Sequence, residues 1–416
     1  MKSKIEWTEW VMRMQTDKKK KIILSLSWRD IRSPKAGGAE VYTHEFLKAV
    51  DKRRFSVIHI SFEWEGCKKK ELIDGVNYYR KGEYFSTILF ARSLYQKNKE
   101  KIALVIDQCN TFRFFSSFWV DKKKRLFLIH QLTREIWFVQ KRGILALVGY
   151  LTETPLLMMN RNDYTVTVSE STRRDLLRIG YRSERIKIIK NGLPEEIDET
   201  PMPGKDQITT FIYVGRYARY KGIDDVVEAF GKYRKSGRDA RLWLVGKTDD
   251  EYVKKKIAPI LEKYSLSSRR QENEAFSKDV EDVDVTIWGY VEEKKKFDLM
   301  QRAHALLCPS CREGWGIIIS EAGYLGTPSI VYDSPGLRDA VNYGKAGFIT
   351  KKKDANSLCK TMMESVDDLE RYQLLSDAAR LYAEDLRWKT NAGIIRQLLD
   401  EMTGLYYQTE TGEGQS

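Results

Sequence analysis

A chain of 416 residues, 42% hydrophobic and 31% charged, is long enough for two substantial cores and too apolar for an extended disordered polymer. Its 72 Lys and Arg against 59 Asp and Glu leave a formal charge of +13, which favours an anionic partner without choosing among them. Five cysteines, few and odd in number, exclude a disulfide framework, and no apolar run approaches the roughly 18–20 residues of a membrane span.

Residues 1–20 read as an N-terminal extension. Lys4, Glu6, Glu9 and Arg13 interrupt it and a charged run follows, which is not the pattern of a signal peptide, so a cytoplasmic protein is expected. Ile22, Ile23 and Leu24 centre a first strand over 21–27, and Gly37-Gly38 then precedes a helical pattern over 39–50. Further strands are predicted at 55–62, 101–107 and 125–130, the last ending on His130. The apolar run 143–151 is about half the length of a span and is expected to be buried in protein. A strand over 164–169 leads to a helix over 170–179 with Ser169 as its cap, and a short strand over 187–189 closes the series. This alternation describes a parallel sheet covered by helices, a Rossmann-like domain over 21–193.

Pro194, Pro201, Pro203 and Gly204 mark residues 194–207 as a linker. The rhythm then restarts: strands at 208–214, 240–245, 283–288 and 305–309, helices at 222–233, 251–264 and 291–303, and a helix after Gly316. Residues 208–385 form the second Rossmann-like domain, with 266–282 as a charged surface excursion. Helical patterns at 378–386 and 390–402 follow; the helix within 386–409 can return to the first domain, and 410–416 reads as a flexible tail. Ligands of such sheets bind beyond the carboxyl ends of the strands and in a cleft between domains.

The most informative stretch is 312–328, REGWGIIISEAGYLGTP. Glu313 and Glu321 lie on either side of a glycine-rich turn that opens a helix. Gly314 and Gly316 can bring backbone N–H groups to an anion, and Glu321 can accept hydrogen bonds from a ribose, which suggests a nucleotide ligand. An ordinary strand–turn–helix unit explains the same glycines. Cys308 and Cys311 have the spacing of half a zinc site without a second pair, so core packing is their expected role. The Lys runs are scattered and match no base-reading motif, so no specific nucleic-acid partner is expected. Aromatic residues beside basic runs at 119–127 and 137–142 suit an anionic membrane surface and so allow peripheral attachment to the cytoplasmic face.

The second half closely resembles the retaining, GT-B-type glycosyltransferases of family 4. The matching pieces, in order, are Tyr213-Val214-Gly215-Arg216 with Lys221-Gly222, Trp288-Gly289-Tyr290, Pro309-Ser310, Glu313-Gly314-Trp315-Gly316-Ile317, Glu321-Ala322 and Gly326-Thr327-Pro328. The first half adds Gly37-Gly38-Ala39-Glu40, Ile129-His130-Gln131, Ser169-Glu170-Ser171-Thr172 and Asn191-Gly192. The resemblance implies a GT-B fold with two Rossmann-like domains separated by a deep cleft, the first on the acceptor side and the second binding a nucleotide-diphosphate sugar, with UDP- or GDP-sugars the expected donors and no tightly bound cofactor or metal.

It also implies roles. Arg216 and Lys221 hold the diphosphate, and their fork and point charge suit the negative charge that grows on a departing phosphate. Glu313 orients the donor sugar, Glu321 holds ribose hydroxyls, and His130 faces the sugar. Gly37 and Gly38 approach the diphosphate; Tyr290, Gly314, Trp315, Gly316 and Ile317 complete the donor pocket. Trp315 stands where a smaller aromatic is common, and it and Cys311 could reshape that pocket. Catalysis is then assigned to His130, Arg216, Lys221 and Glu313, without a glycosidase-like nucleophile, and the acceptor is a glycan or lipid-linked glycan. The competing readings are a nucleotide-sugar epimerase or related GT-B enzyme, and a non-catalytic nucleic-acid or membrane-surface binding protein. Oligomeric state is left open.

Overall fold

The computed structural model describes residues 20–110, 112–141, 143–199, 204–271 and 283–404. The extension before residue 20, the tail 410–416 and most of the excursion 266–282 lie outside the described residues. Two open sheets organise the rest.

The first sheet contains Lys21–Leu26 (β1), Phe55–Ser61 (β2), Lys70–Ile73 (β3), Val76–Arg80 (β4), Ile102–Cys109 (β5), Arg125–Ile129 (β6), Tyr164–Thr167 (β7) and Ile186–Ile188 (β8), in the order β3-β4-β2-β1-β5-β6-β7-β8. Each ladder from β4 to β7 is parallel. Strand β1 is buried on both faces, which is why its sequence is a continuous apolar run rather than an alternation. Leu24, Leu26, Ile58, Ile60, Leu94 and Phe114 belong to the core beside it.

Residues 70–80 fall in none of the predicted strands or helices. They form an antiparallel hairpin, β3 with β4, turning on Asp74 (φ 48°) and Gly75 (φ 75°). Asp-Gly is the pair that a two-residue hairpin turn with two left-handed residues prefers.

The second sheet contains Thr210–Val214 (β9), Arg241–Val245 (β10), Ser268–Arg270 (β11), Val285–Gly289 (β12), Ala305–Cys308 (β13), Ser329–Val331 (β14) and Phe348–Ile349 (β15), in the order β11-β12-β10-β9-β13-β14-β15. All its ladders are parallel. Within the expected excursion, Ser268–Arg270 is this sheet's edge strand. The helix Ile223–Lys235 shows why the alternation was readable: Ile223, Val226, Val227 and Phe230 form its buried stripe, Asp224 and Asp225 lie in its first turn, and Lys232, Arg234 and Lys235 in its last. Burial and the helix dipole favour the same element. The helix predicted over 251–264 is interrupted by a wider turn at Val253–Ile257.

The chain forms two compact units. His130–Arg161 and Thr167–Thr390 make up the second, while Asn162–Val166 and the described residues before His130 and after Thr390 belong to the first. His130 is therefore in the same unit as Arg216, Lys221, Glu313 and Glu321. The Trp388–Thr403 helix contributes Asp400 to the first unit, where Arg54 Nη1 binds its Oδ1 at 2.8 Å.

Gly246, just past β10, has φ +137°, and a Cβ there would lie 2.0 Å from the carbonyl oxygen of Gly215, just past β9. Gly237 has φ +84° but open space around it. Gly246→Ala is therefore expected to destabilise the protein by about 2–4 kcal/mol, from strain and overlap together. Gly237→Ala should cost only about 1 kcal/mol. Urea midpoints of the two variants check the difference.

Candidate functional site

Chain order in the second sheet reverses at β9. The chain moves outward from β9 through β10 to the edge strand β11, steps back to β12, then crosses to β9's other side as β13. The carboxyl ends of β9 and β13 thus flank the switch point where open α/β sheets bind ligands. The loops after these two strands carry most of the residues singled out in the sequence.

After β9, Tyr213 Oη donates to the Arg216 carbonyl at 2.8 Å, and the exposed Arg216 donates from Nη2 to Tyr220 Oη at 3.1 Å. A single helical turn at Arg219–Lys221 ends on Gly222, with φ +74°. A Cβ at Gly222 would lie 2.4 Å from the Pro309 carbonyl oxygen, so glycine lets this loop close onto the end of β13. The Cys311 N–H donates to the Tyr220 carbonyl at 2.9 Å and ties the loops together. Across that tie, Lys221 Nζ lies 2.5 Å from Glu313 Oε1, both side chains mostly buried. Burial acts to lower the Lys221 pKa, but Glu313 and Tyr220 outweigh it and raise the ammonium above its ordinary value. Lys221 is a fixed positive charge at neutral pH.

Glu313 donates its N–H to the Pro335 carbonyl at 3.1 Å. At Gly314 a Cβ would meet the His130 carbonyl oxygen at 2.8 Å; only a glycine lets the Glu313 loop lie against the His130 backbone. The His130 carbonyl also accepts from Thr172 Oγ1 at 2.9 Å. Although His130 keeps some exposure, burial of its ring pushes the pKa down to about 4, so the imidazole is neutral near pH 7.

Gly316, with φ +93°, starts the Ile317–Tyr324 helix without a side-chain cap. Trp315 does not line an opening: it is buried, and its indole Nε1 donates to Ser320 Oγ at 2.9 Å. Its neighbours Gly314, Gly316 and Ile317 remain partly exposed. Glu321 is also turned inward. It is buried, and Lys296 Nζ lies 2.9 Å from its Oε2; burial raises its pKa against the opposing pull of Lys296. That oxygen has an ion partner but no aligned hydrogen-bond donor. Tyr290, just past β12, is 78% exposed.

In the first unit, Gly37 precedes the helix Gly38–Lys48, and its N–H donates to Glu40 Oε2 at 2.8 Å. Glu40 is held in turn by Arg29, with Nε 3.2 Å from Oε1, and by Asn110, whose Nδ2 donates to Oε1 at 3.1 Å. The local carboxylate thus occupies the amide at this glycine turn.

Lys296, in one of the scattered Lys runs, neutralises Glu321 and is itself mostly buried. The signal that could have found it is its place on the Glu293–Arg302 helix, where Phe297 and Met300 mark an adjoining buried face. Arg312 is a second supporting residue that no motif assigns a role. Its guanidinium binds Glu135 Oε2 at 2.7 Å and Asp175 Oδ2 at 2.6 Å, anchoring the residue before Glu313. The residue pair at Cys308 and Cys311 is not a disulfide: both are free thiols.

Neutral histidines set an acid limit on stability. His59 and His304 also sit at about 4, chiefly through burial, and His304 Nδ1 accepts the Thr210 N–H at 3.1 Å, which requires a bare nitrogen. Their folded pKa values lie below the unfolded value of about 6.5, so the unfolded chain binds more protons in that window. Stability should be independent of these groups above about pH 6.5 and fall as pH drops from there toward about 4. Urea midpoints across that range check the sign, and His304→Asn should flatten part of the slope.

The two α/β Rossmann-like domains constitute the GT-B fold. Residues 36–196 match the model of Glycosyltransferase Family 4, and residues 195–382 match that of Glycosyl transferases group 1. The chain belongs to the GT-B-fold glycosyltransferase superfamily. An uncharacterized glycosyltransferase of Haemophilus influenzae is 22% identical, over 89% of this chain and 96% of that one. Among solved structures, sucrose-phosphate synthase from Thermosynechococcus elongatus has a TM-score of 0.72 at 18% identity, covering 93% of this chain and all of that chain. Anabaena HepE in complex with UDP-glucose has a TM-score of 0.63 at 16% identity, covering 92% and 99%.

Proposed function

We propose that this protein is a retaining, metal-independent family-4 glycosyltransferase that moves a sugar from a nucleotide-diphosphate sugar to a glycan or lipid-linked glycan. The observation that carries the reading is the Lys221–Glu313 pair, 2.5 Å apart, bridging the loops at the switch point beside Arg216. A diphosphate there meets a point cation and a guanidinium fork, which supply positive charge where a metal would otherwise be needed. The solved HepE complex with UDP-glucose supports UDP-sugars as the first donors to test, with GDP-sugars next.

In the proposed reaction the bond from the sugar's anomeric carbon to the phosphate oxygen breaks, and its electron pair stays on the nucleotide diphosphate. The acceptor hydroxyl bonds to that carbon from the same face and gives its proton to the departing phosphate oxygen. Arg216 and Lys221 stabilise the charge that develops. Glu313, paired with Lys221, holds the sugar, and neutral His130 can accept or donate a hydrogen bond to a sugar hydroxyl. Tyr290 is suited to a base and the amides near Gly314, Gly316 and Ile317 to phosphate; Glu321 is assigned the ribose hydroxyls, which it reaches only when its buried carboxylate turns away from Lys296. Trp315 supports this wall from behind.

The test is product analysis with purified protein in the presence of a chelator, using UDP- and GDP-sugars crossed with soluble and lipid-linked glycans. Transfer with the donor's anomeric configuration in the product is expected. Inverted product, isomerised donor without transfer, or activity abolished by chelation and restored by a divalent ion would each remove the corresponding part of the proposal.

A further inference from the structure

The helix Ile144–Met158, ILALVGYLTETPLLM, contains one charged residue. The sequence reading expected the first part of this apolar run to be buried. Instead Ile144 is 75% exposed, Leu145 67% and Leu151 60%, with Leu147, Val148, Tyr150, Leu156 and Met158 also exposed. Only a narrow strip faces the protein: Ala146, Gly149 and Leu157 are buried, and Gly149 lies so close to Trp137 that a Cβ would come within 2.4 Å of the indole. Glu153, the one carboxylate, points to the same side, where it accepts the backbone N–H groups of Thr133 and Arg134. The outward face is thus left without charge.

A helix apolar nearly all round normally lies in a core or in lipid. This one is exposed, and at 15 residues it is shorter than the roughly 20 needed to cross a bilayer. Its surroundings select the occupant. Exposed Lys141 and Arg161 flank it, and Phe138, 51% exposed, packs against Tyr150 with ring centroids 5.3 Å apart, an aromatic pair of the kind that settles at a lipid headgroup boundary. A second copy of a chain carrying +13 would meet net repulsion, whereas an anionic bilayer attracts it.

We infer that Ile144–Met158 is a monotopic membrane-docking helix, inserting its apolar face into the interfacial layer of an anionic bilayer while Lys141 and Arg161 engage lipid phosphates. Two sources of binding energy act together, so attachment is stronger than either the apolar face or the basic charge alone would give.

The experiment is co-sedimentation of the full-length chain with vesicles of phosphatidylcholine and phosphatidylglycerol, read without donor or acceptor, so that its failure leaves the transferase proposal standing. The parent chain should bind these vesicles, bind pure phosphatidylcholine vesicles weakly, and remain partly bound after a high-salt wash. Leu145→Glu with Leu151→Glu should weaken partition at least about tenfold with an unchanged melting temperature, because both side chains already face solvent. Leu381→Glu, on an equally exposed leucine elsewhere (69%), should bind like the parent. Absence of vesicle binding by the parent, or equal binding by the double variant, overturns the inference. A parent dimer in light scattering that the double variant converts to monomer, with vesicle binding unchanged, assigns the face to a second copy instead.

Discussion

Lys221→Ala should reduce transfer by about two to three orders of magnitude, the loss expected when a fixed charge contact to the transition state is removed. The side chain's setting makes the effect specific. Lys221 and Glu313 are 2.5 Å apart and mostly buried, on loops held together by the Cys311–Tyr220 backbone bond. Without the ammonium, Glu313 is left as an unbalanced carboxylate beside an incoming diphosphate, so the variant loses an attraction and gains a repulsion. Arg216→Ala removes a charge but leaves no orphan, since Arg216 is exposed and bonded only modestly, to Tyr220. It should therefore lose activity at little cost in stability. Lys221→Ala combined with Glu313→Gln separates the two contributions: donor affinity should recover in part because the repulsion is gone, while the rate stays low because the cation is still missing. Donor-saturated rates and donor affinities for the three proteins check this pattern. Parental rates in folded Lys221→Ala would dismiss the proposed phosphate site.

Much of the architecture was legible because parallel strands buried on both faces are written as short apolar runs. β1, β9 and β13 are such runs, and each lies within its predicted range apart from boundary residues. The β3–β4 hairpin was readable in principle from Asp74-Gly75 but was masked by the Lys-rich sequence before it, where Lys70 and Leu72 face solvent as an edge strand's residues can. The apolar run at 143–151 shows the opposite limit. Hydrophobicity indicates that a segment avoids water, but it does not say what replaces the water.

The candidate site is written as a set of short motifs, and the structure adds packing roles that the motifs do not convey. Glycine at 222 and 314 serves the approach of two backbones as well as a turn. Trp315 reads as a pocket aromatic by its neighbours, yet its indole finds a buried hydroxyl five residues along the chain, at Ser320. Lys296 and Glu321 are 25 residues apart in sequence and on different helices; no local pattern reveals that one neutralises the other. Long-range ion pairs of this kind depend on how two elements pack, and the alternation that identifies each element carries no information about its rotation.

Arg312→Ala should be the most damaging substitution to the site's support, costing about 3 kcal/mol of stability. Arg312 is buried and holds two carboxylates at once, Glu135 at the start of the Ile136–Gln140 helix and Asp175 on the Glu170–Arg178 helix. Asp175 is itself largely enclosed and would retain only exposed Arg178, 3.2 Å away, so alanine leaves a poorly compensated charge. The cost falls short of the upper range for a broken buried pair because the Glu135 side chain is 63% exposed and can be hydrated. Arg312→Lys should recover less than half of the loss, since one ammonium cannot present the two edges of a guanidinium to separate acceptors. A pH series adds an independent reading. Burial acts to raise the Glu135 pKa, but hydrogen bonds from Arg312 outweigh it and hold the carboxyl below its ordinary value. Its contribution to stability is thus present above the unfolded pKa and disappears as pH falls through the folded one; Arg312→Ala should shrink that acid-sensitive part along with the neutral-pH stability. Denaturant midpoints at neutral and acidic pH test both. Because Arg312 immediately precedes Glu313, the variant should also loosen the Lys221–Glu313 pair and lower the transfer rate in the fraction that remains folded, whereas a purely remote stability defect would leave that rate intact.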